Sequence, residues 1–120
     1  MEPKTILVVD DDPDQAELLA QALSAPGRRV QAYSDPIRAL SALAHEGADL
    51  LIADLSMPWL DGRDVVASAR IRRPDLRIFL VSGYAQGAEV AAQQGVRFFA
   101  KPLNFDSLRR AVTEALAVPA

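Results

Sequence analysis

Cysteine is missing from all 120 residues. Disulfides, thiolate zinc sites and thiol catalysis are excluded with it. Histidine is almost as scarce. His45 stands alone, so a multi-histidine metal site cannot form within one chain, and metal chemistry would have to use oxygen ligands. Positive charge is not in excess either. Thirteen Lys and Arg face sixteen Asp and Glu, a formal net charge of -3, which gives no electrostatic reason to expect nucleic acid as a direct ligand. No apolar run approaches the roughly 20 residues needed to span a bilayer. The N-terminal "MEPKT" lacks the basic and apolar regions of a signal peptide. The expectation is a cytoplasmic protein with no membrane partner. Linkers, repeats and low-complexity segments are lacking too, so one domain over residues 1–120 is expected.

What is present alternates. Short apolar runs occur at "ILVV" (6–9), "VQAY" (30–33), "LLIA" (50–53), "IFLV" (78–81) and "VRFFA" (96–100). Between them the apolar spacing is helical. Leu18, Leu19, Ala22 and Leu23 fall together in the first such segment, and Phe105, Leu108, Val112 and Ala115 in the last. Asp12-Pro13 and Asp35-Pro36 each supply a capping carboxylate and a proline suited to the first helical position. Gly27, Gly47 and Gly95 are expected to end helices. Five strands alternating with five helices predict an α/β fold with a parallel sheet and right-handed crossovers. For this size the flavodoxin-like (βα)5 doubly wound sandwich, strand order 2-1-3-4-5, is the natural choice. Its ligand crevice lies at the carboxyl ends of strands 1 and 3, where the order reverses.

That topology gathers chemistry at one edge. Strand 1 ends in Asp10 and Asp11, strand 3 in Asp54, strand 4 in Ser82, and strand 5 in Ala100-Lys101-Pro102. Three carboxylates at close quarters repel one another. A divalent cation, Mg²⁺ above all, would relieve that repulsion. An acidic metal pocket facing one ammonium and one hydroxyl suits a phosphoryl group. Each residue also has a plainer reading: Asp12 as a helix cap, Asp61 as a turn residue before Gly62, Lys101 as a solvated lysine, Ser82 as a strand-end serine. The conjunction of four strand ends outweighs them. His45, in the second helical segment, is expected to be an exposed residue away from the crevice.

The stretches "ILVVDDDPD", "DLLIADLSMPWLDG", "LVSG" and "FFAKPLN" together resemble the receiver domain of two-component response regulators, the CheY-like family. The resemblance runs from Lys4 to Leu116. It implies a phosphoacceptor switch of a phosphorelay rather than an enzyme. Asp54 would accept the phosphoryl group from a histidine kinase, a histidine phosphotransfer domain or a small phosphodonor. Mg²⁺ would be held by Asp11, Asp54 and the backbone carbonyl of Ser56, with Asp10 acting through a metal-bound water. Lys101 would pair with a phosphoryl oxygen, with its bond to Pro102 in cis. Ser82 would turn toward the phosphoryl group, and Phe98, three before Lys101, would act as the aromatic switch residue. The first helix around Gln15, Leu18, Leu19 and Ala22 would dock the kinase. The fourth helix, fifth strand and fifth helix would meet an unknown downstream protein.

Four features depart from that pattern, one of them Ser56, two after Asp54, an unusual residue to border the site. "SGYAQGAEVAAQQG" (82–95) is short, which predicts a stubby fourth helix weakened at its start by Gly87. "GVRFFAK" is one residue short, so Phe98 reads equally as a core aromatic. Tyr84, two after Ser82, is unusually large for the mouth of the crevice and would shield an aspartyl phosphate from water. Trp59 is expected to pack on the third helix. "VSGYA" resembles receivers of hybrid kinases and stand-alone regulators more than receivers fused to DNA-binding domains. The alternative within the family is a receiver-like interaction module that works without phosphorylation. A haloacid-dehalogenase phosphatase would use Asp10 and Asp12 as its aspartate pair, but Asp12 precedes a helix. A flavodoxin would need a Ser/Thr/Gly phosphate loop where "DDDPDQ" stands.

Overall fold

The computed structural model describes residues 3–54, 62–84 and 86–117. Chain order is strictly alternating: β1 (Lys4–Val9), α1 (Pro13–Leu23), β2 (Arg28–Tyr33), α2 (Pro36–Glu46), β3 (Leu50–Asp54), α3 (Gly62–Arg72), β4 (Arg77–Ser82), α4 (Gln86–Gln94), β5 (Arg97–Ala100) and α5 (Phe105–Ala117). All pairings are parallel and the sheet order is β2-β1-β3-β4-β5. The predicted flavodoxin-like topology is the observed one.

The central strands are apolar on both faces because helices cover both. In β3 every residue from Leu50 to Asp54 is buried. Alternate side chains enter different cores. Leu7, Val9, Leu51, Ala53, Ile78 and Leu80 pack with α2, α3 and α4. Ile6, Val8, Leu50, Ile52, Phe79 and Val81 pack with α1 and α5. Each fully buried leucine, such as Leu43 or Leu108, contributes about 1.5–3 kcal/mol of transfer free energy. Four strands begin on a base (Lys4, Arg28, Arg77, Arg97), so positive charge collects at the amino edge of the sheet.

The helix starts follow the capping logic. Asp12 accepts from Asp14 N at 2.9 Å and Gln15 N at 3.4 Å, and Asp35 accepts from Ile37 N at 2.9 Å, each followed by proline in the first turn. Two expectations shift. The buried stripe of α1 is Ala16, Leu19, Ala20 and Leu23, an i, i+3, i+4, i+7 set, while Leu18 is 50% exposed. Leu18 and Leu19 are both apolar, and only packing on β1 decides between them. Gly27 does not end α1, whose C-cap is Ser24; it lies in the turn before β2 at φ 80°. Gly47 does cap α2 at φ 77°, a left-handed conformation that glycine adopts freely. As expected, α4 is short, nine residues, and His45 is exposed in the last turn of α2.

Candidate phosphoacceptor and metal site

Parallel strands all point one way, so their carboxyl ends form one rim. Among the described residues the buried polar or charged side chains are Asp10, Asp54 and Ser82, each at most 6% exposed. All three lie on that rim. Burying them costs free energy unless partners are supplied, and the partners come from the segments just beyond the strand ends.

Lys101, just beyond β5, donates from Nζ to Asp54 Oδ2 at 2.8 Å and lies 3.8 Å from Asp10 Oδ2. Asp10 Oδ1 accepts from Asp12 N at 3.0 Å. Each of Asp10, Asp11 and Asp54 presents a carboxylate oxygen within 4.8 Å of the others. The cluster therefore holds three carboxylates against one ammonium. Its electrostatics show the imbalance. Burial pushes the Asp10 carboxyl up to about 6, helped by the charges of Asp54 and Asp11 and opposed by the Asp12 amide and Lys101. Burial lowers the Lys101 ammonium, but the hydrogen bond and charge of Asp54, with Asp10 and Asp11, outweigh it and hold the group above its ordinary value. A compact set of hard oxygen donors with surplus negative charge fits a divalent cation such as Mg²⁺.

Ser82 is turned elsewhere. Its Oγ accepts from Tyr84 N at 3.0 Å, and its carbonyl accepts from Lys101 N at 2.9 Å. The Lys101–Pro102 bond is cis. Tyr84 stands at the rim, 65% exposed. Phe98 is half-buried against the core of α2, α3 and α4, whereas Phe99 faces the opposite core. The structure thus brings together Asp10, Asp11, Asp54 and Lys101, with Ser82 and Tyr84 adjoining. Ser56, Trp59 and Asp61 lie outside the described residues. Sequence reasoning treated Gly87 only as a helix weakener. Its close approach to Ser82 and Phe98 has no signal in composition or periodicity.

The family model described as "Response regulator receiver domain" matches residues 6–113. The chain belongs to the response-regulator receiver family. Among curated relatives, the transcriptional regulatory protein GlrR of Escherichia coli is 33% identical over 117 residues, covering 95% of this chain and 26% of GlrR. The response regulator receiver protein CpdR of Brucella abortus is 29% identical over 116 residues, covering 94% of this chain and 97% of CpdR. The receiver therefore spans about a quarter of the first regulators it matches and nearly all of CpdR. Transcriptional regulatory proteins much longer than this chain and a receiver protein of nearly its own length are thus both among its relatives. Among solved structures, the CheY-like receiver domain protein of Methanospirillum hungatei superposes with a TM-score of 0.87 at 26% identity, covering 97% of this chain and 95% of that one. The response regulator TrrA of Thermotoga maritima, in complex with Mg²⁺ and BeF, gives 0.82 at 30% identity, covering 93% and 98%. Among the described residues no helix is long and apolar enough to cross a membrane.

Proposed function

We propose that this receiver accepts a phosphoryl group on Asp54 from a phosphohistidine of a partner kinase or phosphotransfer protein, in a Mg²⁺-dependent reaction, and changes partner binding as a result. The observation that carries this is the cluster of three carboxylates sharing one lysine, with Asp54 as its most buried member. The TrrA complex with Mg²⁺ and BeF supports it from a similar chain.

Asp54 is the nucleophile. A carboxylate oxygen bonds to phosphorus as the phosphorus–nitrogen bond to the donor histidine breaks, and the imidazole leaves with a proton. Asp11, Asp54 and the Ser56 carbonyl would ligate the cation, and Asp10 would hold one of its waters. Mg²⁺ bound there would offset charge on the phosphoryl oxygens. Lys101 already grips Asp54 Oδ2, and a small shift carries its ammonium to a phosphoryl oxygen. Ser82 Oγ would leave Tyr84 N and donate to another. The added charge, about -1.5 to -2, is what biases the loops after β4 and β5. Phe98 would respond on the α4 side, and Tyr84 would cover the phosphoryl group. Exposed Gln15 and Leu18 on α1 remain available for kinase docking, while Leu19 is buried in the core.

Intact mass after incubation with acetyl phosphate and Mg²⁺ tests this. Wild type should gain one phosphoryl group and Asp54→Asn none. A folded wild type that gains nothing from acetyl phosphate, nor from a purified kinase, would hand the site to the interaction-only reading.

A further inference from the structure

The start of α4 meets the sheet through a residue with no side chain. A β-carbon placed on Gly87 would lie 2.6 Å from Phe98 Cε1, 3.1 Å from Phe98 Cζ and 2.8 Å from Ser82 Cβ. Gaps below 3.0 Å do not occur at real β-carbons, and one of these neighbours is the first atom of a buried side chain, not a flexible tip. Gly87 is itself buried. Its N–H donates to Tyr84 O at 3.0 Å, and Tyr84 N donates to Ser82 Oγ at 3.0 Å. The hydroxyl, the turn at 83–84, the first turn of α4 and the Phe98 ring therefore form a closed circuit of contacts. Helix propensity argues against glycine here. Close packing is the physical reason for it.

We propose that Gly87 is the positioning residue that couples Ser82 to α4. The inference rests on the phosphoacceptor reading and adds the route by which a phosphoryl group on Asp54 moves a helix. When Ser82 Oγ leaves Tyr84 N for a phosphoryl oxygen, Tyr84 N loses its acceptor. The turn is then free to shift, and the Gly87–Tyr84 hydrogen bond shifts with it. Because bare backbone rests on Ser82 and Phe98, the first turn of α4 follows the turn, and the space beside the Phe98 ring changes. Any β-carbon at 87 would hold α4 away from both residues before phosphorylation.

The test uses backbone amide NMR of the whole chain, with Mg²⁺ and beryllofluoride as the phosphoryl stand-in. In wild type, beryllofluoride should shift the resonances of Ser82, Tyr84, Gly87, Val90 and Phe98 together. Gly87→Ala should still gain one phosphoryl group from acetyl phosphate. Its Val90 and Ala91 resonances should already be displaced without beryllofluoride, and their further response should be much smaller than in wild type. If Gly87→Ala instead overlays wild type in α4 and responds equally, the coupling role is wrong. Should Gly87→Ala fail to fold, hydrogen exchange of wild type decides. Protection of the Tyr84 and Gly87 amides should fall together on adding beryllofluoride, and an unchanged Gly87 beside an opened Tyr84 overturns the proposal. A wild type with no response to beryllofluoride and no phosphoryl gain overturns the phosphoacceptor reading itself, a separate result from a responsive wild type matched by Gly87→Ala.

Discussion

At Asp10 the cost of assembling the site is concentrated in one group. Its carboxyl, held near 6, lies above the roughly 3.9 of an unfolded chain. Between those values the folded state binds more protons than the unfolded state, so this residue's contribution to stability falls as pH rises through that window. Without a metal, Asp10→Asn should therefore be more stable than wild type at pH 7, by on the order of 1–2 kcal/mol, with the gain shrinking toward pH 4; urea unfolding at several pH values reads this. A cation needs the carboxylate, so Mg²⁺ affinity should fall by up to about tenfold per unit below pH 6, and calorimetric titration should find that dependence flattened in Asp10→Asn. Tyr84 makes a different prediction. Exposed at the rim, it loses no core packing on truncation, so Tyr84→Ala should keep its stability and shed phosphoryl label faster than wild type. A label lost at the wild-type rate would remove the shielding role. Asp10, Asp11, Asp54 and Lys101 were legible as a cluster because each lies at the end of an apolar run, and a parallel sheet must align those ends. The partner of Ser82 was not legible, since a hydroxyl's orientation depends on a turn that periodicity does not describe.

The elements follow local rules closely, and the exceptions are informative. Asp12 and Asp35 cap α1 and α2 as expected, and replacing either cap with alanine should cost about 1 kcal/mol by urea unfolding. Asp12→Ala should leave phosphoryl gain intact if its carboxylate is only a cap; loss of phosphorylation in that variant would place Asp12 in the site. The strand cores were readable because only doubly covered strands tolerate unbroken apolar runs such as "LLIA". The face of α1 was read correctly at Leu19 and Leu23 and wrongly at Leu18, because adjacent leucines satisfy the helical spacing equally and the sheet chooses Leu19. Gly27 was misread because a glycine just after a helix and one just before a strand look alike in one dimension. The shortness of α4 was legible from residue counting. Its seat on Ser82 and Phe98 was not, because a glycine chosen for contact is indistinguishable in sequence from one that merely loosens a helix.

Over the whole molecule, charge is sorted along the strand direction, with bases opening four strands and carboxylates closing two of the central ones. A cation that binds the closing edge of the folded state and not the unfolded chain stabilises by mass action, about 2.7 kcal/mol when present at 100 times its dissociation constant. Saturating Mg²⁺ should thus raise the melting temperature of wild type by several degrees, and Asp54→Asn should show a smaller rise. An equal rise in both would mean the ion sits elsewhere. The Lys101–Asp54 pair also bears on which reagents can react at all. One oxygen of Asp54 is already engaged by an ammonium, so under the proposed function a neutral carbonyl or ester would meet an occupied carboxylate oxygen and offer the lysine nothing in exchange. A reagent that carries its own anionic oxygens can draw Lys101 away and uncover Asp54 in the same approach. For the phosphoacceptor proposed above, the resting ion pair would in that sense filter electrophiles, discriminating by the charge they bring and not by their shape.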